Sequence, residues 1–211
     1  MPQYQRSILY DSLDDAQGEA NFLFEEASKR LQPKVLIREL FIEEHQSEDG
    51  IPTITIEGEF FKGKALKALD GVHRVLAYVA TCGDEMESYD LNSLDMLAPF
   101  WLDIVKTQAL GAARRELLTF CREKWHISRP KSVNPGSGNV DIWPIEAMQG
   151  LFRLLGRGDE VGVTLTASSL MVPNKSIAGL MFASQENDWE SCAYCERENC
   201  PNRRVPFREK L

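Results

Sequence analysis

Three cysteines within nine positions, in the run Cys192-Ala193-Tyr194-Cys195-Glu196-Arg197-Glu198-Asn199-Cys200-Pro201, hold the most reactive chemistry of this chain. Cys-x2-Cys sets two thiolates on one tight turn, which suits a single metal ion or cluster, and Cys200 stands where it can close the site. The proline that follows matches the cysteine–proline ending of some cluster-binding runs. Soft thiolates select an iron–sulfur cluster, zinc or cuprous ion. A closed zinc site takes four ligands, so with three local ones a fourth is expected from Cys82, Cys121, His126 or a partner protein. A redox thiol pair and three inert reduced thiols are the other readings of the same residues. Cys82 and Cys121 stand alone in apolar surroundings and read most simply as small buried residues.

A second stretch with chemical potential is the loop Asn134-Pro135-Gly136-Ser137-Gly138, followed by Ile142-Trp143-Pro144-Ile145-Glu146. It is either a ligand-holding turn or a connection that serves topology alone.

The elements that must position these residues follow from periodicity. Asp15 to Leu31 predicts a helix, with Pro33 after it. Val35 to Glu43 and Pro52 to Phe61 predict strands, with the polar Gln46 to Gly50 as their hairpin connection. Gly63 to Leu69 predicts a short helix and His73 to Thr81 a buried strand. Leu94 to Trp125 predicts one long helix, because Leu97, Trp101, Ile104, Val105, Gln108 and Ala112 recur at three- and four-residue intervals. Its small residues Ala109, Ala112 and Ala113 predict close packing of another element. Arg129 to Gly138 reads as loop. Pro144 suits the first turn of the next helix, and Gly156 or Gly158 its end. Val161 to Val172 and Ser176 to Ala183 complete the set as strands.

This alternation predicts an α+β domain over residues 1–187, one mixed or antiparallel sheet covered by helices that include a long central one. A short cysteine-containing tail module is expected over residues 188–211. With 43% hydrophobic and 27% charged residues the chain can bury a core. The net charge of −8 and the lack of a basic stripe argue against nucleic acid as a partner. No run reaches the ~18–20 apolar residues of a membrane span, and the start lacks an apolar signal stretch. A cytoplasmic protein with no membrane partner is expected. Neither a phosphate loop, a Ser-His-Asp order nor a paired-carboxylate spacing stands out, which leaves hydrolase and kinase readings without support.

From Ser132 to Gly179 the order of loop, helix and paired strands resembles the ligand-binding end of the reactivation (activation) domain of cobalamin-dependent methionine synthase. The resemblance extends over roughly Ile54 to Ala183. Tyr78-Val79-Ala80-Thr81-Cys82-Gly83 is similar to a family strand ending in a Thr-Gly turn, and Trp143-Pro144-Ile145-Glu146 to the start of a family helix. Thr164-Leu165-Thr166 and Pro173-x-x-Ser176-Ile177-Ala178-Gly179 match closely. In that family an Arg-x-x-x-Gly-Tyr motif holds S-adenosylmethionine. Here Gly136 is kept, Ser132 stands at the arginine position and Ser137 at the tyrosine position. Serine supplies neither the arginine's charge nor its planar fork.

The resemblance implies that Asn134, Pro135, Gly136 and Ser137 contact S-adenosylmethionine or the corrin edge. Arg129 and Lys131 are the nearby cations, and Glu116 lies where the family has a ligand-side glutamate; the residues alone read Glu116 as a solvated helix charge. It further implies an accessory protein for corrinoid-dependent methyl transfer, docking to a cobalamin-binding protein or methyltransferase and assisting its reductive reactivation. Stand-alone relatives in anaerobic one-carbon metabolism look more like this chain, and an iron–sulfur cluster on Cys192, Cys195 and Cys200 suits the low-potential electron that reactivation needs, drawn from an electron-donor protein. A non-redox binding module with a structural zinc tail and an S-adenosylmethionine-dependent methyltransferase component are the alternatives.

Overall fold

Every residue of strand β5 (Arg74–Thr81) after the first is buried, and the rest of the fold is arranged around it. The computed structural model describes residues 18–137, 142–156, 158–183, 189–195 and 203–208. β5 pairs on one edge with β1 (Lys34–Phe41) and on the other with β9 (Ser176–Ala183), which in turn pairs with β6 (Pro130–Val133). The sheet is antiparallel throughout, in the order β1-β5-β9-β6. A strand covered on both faces reads as a continuous apolar run, which is how Val75–Ala80 appears in the sequence.

Side chains alternate across the sheet, so β5 feeds two cores. Val75, Ala77 and Val79 join Leu151, Leu154, Trp143 and Phe182 in the larger one, under the helix α3 (Ala147–Leu155). Leu76 and Tyr78 face Leu117, Cys121 and Met181, under the second half of the 28-residue helix α2 (Ala98–Trp125). The first half of α2 packs Trp101, Leu102, Val105 and Ala109 against Leu23 and Ala27 of α1 (Glu19–Arg30). The small residues of α2 therefore do meet a second element, with Ala109 fully buried. The expected α+β architecture, with its antiparallel sheet and long helix, is the one the chain adopts.

Local departures have physical causes. Pro52–Phe61 is not one strand but a hairpin, β3 (Ile51–Ile56) and β4 (Glu59–Lys62), turned at Glu57 and Gly58 with φ of 47° and 78°. Left-handed values at both central residues give the hairpin turn that matches strand twist. The polar segment expected as a connection, Gln46–Gly50, overlaps β2 (Glu44–Glu48), exposed at every position. It completes a separate three-stranded sheet, β2-β3-β4. A fully exposed edge strand has no apolar alternation to announce it. β6 begins on Pro130 at a sheet edge, where a missing donor is tolerated. After a short 3₁₀ turn (Gly158–Val161) the stretch to Val172 forms a small hairpin, β7 (Thr164–Leu165) with β8 (Met171–Val172), rather than one strand. Trp189, just past the expected tail boundary, is 5% exposed within the larger core.

Candidate functional site

The loop after β6 is fixed from below by one asparagine. Asn134 Nδ2 donates to the carbonyl of Ala178 and to the hydroxyl of Tyr78, both at 2.7 Å. Its Oδ1 accepts from Ser132 Oγ at 3.1 Å. A carbonyl oxygen can only accept, so the Ala178 contact fixes which way the amide faces. Asn134 reaches across the sheet because position 179 is glycine; a Cβ there would collide with Asn134 Nδ2 and the carbonyl of Val133.

Gly136, at φ 70°, turns the chain beyond Asn134 and donates its N–H to the carbonyl of Trp143 at 2.9 Å. Ser137 N donates back to the carbonyl of Asn134 at 3.1 Å. Trp143 is fully buried, edge-on to Phe61 with ring centres 6.0 Å apart, and Gly63 lies against its ring. Pro135 is buried, Ser137 half-buried and Gly136 exposed. The loop thus presents an exposed glycine backbone on a frame anchored at both ends.

Beside the loop, between β6 and α2, a cavity of about 40 Å³ is floored by Tyr78, Leu117, Met181 and Trp189. Lys131, Arg114 and Arg204 stand at its mouth, together with Glu190. Glu190 pairs with both Lys131, at 3.2 Å, and Arg204, at 3.0 Å. The Trp189 indole donates to the carbonyl of Ser132 at 3.2 Å and stacks on Tyr194 with centres 4.9 Å apart. Of the expected cations, Lys131 belongs to this cavity and Arg129 lies exposed in the turn before β6.

Glu116 is not brought to the loop. It lines an open groove between α2 and β1, and β1 and β6 are opposite edges of the sheet, three strand spacings or roughly 14 Å apart. Glu146 is exposed at the start of α3.

In the tail, Cys192 and Cys195 are half-buried free thiols, and Arg203 donates to both of their carbonyls, at 2.9 and 2.7 Å. Cys200 lies outside the described residues. Among the described residues no three His, Cys, Asp or Glu side chains stand close enough to hold a metal. Cys82 and Cys121, named as a fourth ligand, are fully buried in two different cores, and burial pushes each thiol up to about 11. His126 ends α2 in a left-handed conformation, φ 55°.

Sequence reasoning missed Tyr78, Arg114, Glu190 and Arg204 as neighbours of the loop. One signal was present: a single hydroxyl in the apolar run of β5. It also missed Lys106, almost buried and paired with Glu87 at 2.5 Å beside a cleft of about 230 Å³.

Residues 105–204 match the model of the family described as "Vitamin B12 dependent methionine synthase, activation domain". Over that stretch the chain is similar to the activation-domain family. The matched region runs from the middle of α2 through the Asn134–Ser137 loop, α3 and β9 to the tail. The likeness extends to the fold. A solved structure, "Crystal Structure of the MetH Reactivation Domain bound to AdoHcy", superposes with a TM-score of 0.59 over 90% of this chain and 72% of that one. At 16% sequence identity the likeness is one of fold. No curated protein matches the chain. No helix among the described residues is long and apolar enough to cross a membrane.

Proposed function

We propose that this activation-domain relative docks to a corrinoid protein and assists its reductive reactivation, with an S-adenosyl ligand held against the loop Asn134–Ser137. The observation that carries this reading is the family match across the whole loop-bearing half of the chain. The AdoHcy in the related reactivation-domain structure supports it, as does the exposure of Gly136 at the loop's turn. The residues present fit such a group in part: the loop has the open glycine, while Ser132 and Ser137 give it no cation. S-adenosylmethionine, when bound, supplies a methyl group. The chain's own part is to hold the loop rigid through Asn134 and Trp143, so that ligand and docked partner meet a preorganised surface.

Calorimetry with S-adenosylmethionine and S-adenosylhomocysteine tests the ligand, and anaerobic spectroscopy of a cobalt(II) corrinoid protein with and without the chain tests the docking. Heat of binding together with a perturbed corrinoid spectrum is the expected pair of results. No heat at millimolar ligand and an unchanged spectrum would sink the reading.

A second reading concerns the tail, where two free thiols sit on a turn tied by Arg203. With Cys200 they would hold an iron–sulfur cluster fed by an electron-donor protein, or a structural zinc. Iron and acid-labile sulfide in anaerobically purified protein favour the cluster, and one zinc per chain favours the structural site. Neither metal would dispose of both.

A further inference from the structure

We propose that the cleft beside Lys106 binds a small uncharged molecule, an apolar body carrying a carboxamide, whose oxygen accepts from the lysine ammonium. The cleft shares no residue with the Asn134–Ser137 loop, and the inference does not rest on the proposed function.

The first observation is a lysine with protons to spare. Pro99, Leu102, Asp103 and Lys106 recur at three- and four-residue spacing, so they share one face of α2. Lys106 on that face is 9% exposed. Its ammonium has three donors, and among the described residues Glu87 alone accepts from it, at 2.5 Å. Buried donors demand acceptors. Lys106 lines the cleft, so an oxygen lodged there supplies what the chain does not. An ion pair taken out of water adds little stability over an apolar residue of similar size, and packing alone gives no reason for a lysine at this position.

The second is charge. Two carboxylates, Glu87 and Asp103, line the cleft together with the Lys106 ammonium. Lys175 pairs with Asp103 at 2.9 Å, which brings the four groups to neutrality. A charged ligand would therefore enter without a counter-charge left for it, and burying an unpaired charge is costly. A carboxamide is uncharged and offers both an acceptor for Lys106 and donors for the carboxylates.

The third is size and lining. The volume of about 230 Å³ exceeds the ~150 Å³ of an apolar cavity that accepts benzene, which leaves room for one ring and a polar group. Met86, Tyr89, Leu91 and Leu102 supply the apolar wall. Met86 is 2% exposed, and the Arg30 guanidinium lies 5.4 Å from the centre of the Tyr89 ring. In such surroundings a charge-assisted hydrogen bond is stronger than in water.

The test uses the intact chain with ¹³C-methyl-labelled methionine and benzamide as the probe. The Met86 methyl reports on the cleft, and the Met181 methyl, in the cavity beside β6, serves as bystander. A saturable Met86 shift in the millimolar range is expected, with Met181 unmoved. Toluene, benzoate and benzylamine are close to benzamide in size but lack its acceptor or its neutrality. Each should bind at least about tenfold more weakly. Lys106→Met keeps an unbranched side chain and removes the donors, so it should weaken benzamide to the level of toluene, with the thermal midpoint checked. The comparison of the four probes on wild type stands even if that variant does not fold. An unsaturable shift, or Met181 moving in place of Met86, overturns the site. Toluene binding as tightly as benzamide, or Lys106→Met behaving as wild type, overturns the part given to Lys106. Benzoate or benzylamine binding more tightly than benzamide overturns the assignment to an uncharged ligand.

Discussion

Burial divides the cysteines into two chemical kinds. Cys82 and Cys121 are fully buried, and the low dielectric around them raises each thiol to about 11. Cys192 and Cys195 stand half-exposed on a turn. Iodoacetamide at pH 8 should therefore label the tail pair in the native chain and reach Cys82 and Cys121 only after denaturation, as peptide mass mapping would read. The same burial gives a pH dependence with a definite sign. Unfolded thiols ionise near the ordinary value of 9.0, whereas the folded ones hold their protons up to about 11. Stability from this source is whole below pH about 9 and is lost as pH rises toward about 11. Denaturant midpoints measured from pH 8 to 11 should fall in wild type and fall less steeply in Cys82→Ala; parallel slopes would refute the assignment.

At the scale of elements, the β6–β9 pairing and the loop depend on one position without a side chain. Gly179 lies where Tyr78 of β5 and Asn134 converge, and a methyl there meets Asn134 and the Val133 carbonyl. Gly179→Ala should cost about 1–3 kcal/mol by overpacking and release the loop as it does so. Urea unfolding checks the first part, and loss of the Asn134 side-chain amide signal pattern in NMR the second; an unchanged midpoint would contradict the packing. Much at this scale was legible in the sequence. The continuous apolar run of β5 and the helical spacing of α2 each state a single answer, and of the two glycines that could end α3 it is Gly156 that does. β2 was not legible, because all its positions are exposed. Nor was the break at Glu57-Gly58, since a two-residue turn leaves the period of the flanking apolar residues almost undisturbed.

At the scale of the whole molecule, the tail bears on stability as well as chemistry. Trp189 fills the larger core and stacks on Tyr194, while Lys131 and Arg204 both clasp Glu190. A chain shortened to residues 1–187 should lose about 3–5 kcal/mol, the cost of deleting a buried tryptophan, and melt several degrees lower in calorimetry. An unaltered midpoint would mean that the tail contributes nothing to the fold.

The sequence by itself determined the α+β class, the long helix, the buried central strand and the likeness of the Ser132–Gly179 stretch to the activation-domain family. These are written in periodicity and in short motifs, where neighbours in the chain are neighbours in space. Only the tertiary structure decided that Glu116 lines the groove along β1 while the loop follows β6 at the other sheet edge, that Cys82 and Cys121 are sealed in separate cores, and that Tyr78, Arg114 and Arg204 meet around one cavity. The last three lie on β5, α2 and the tail, segments far apart in sequence, and their meeting is fixed by strand order and register, which no local pattern encodes.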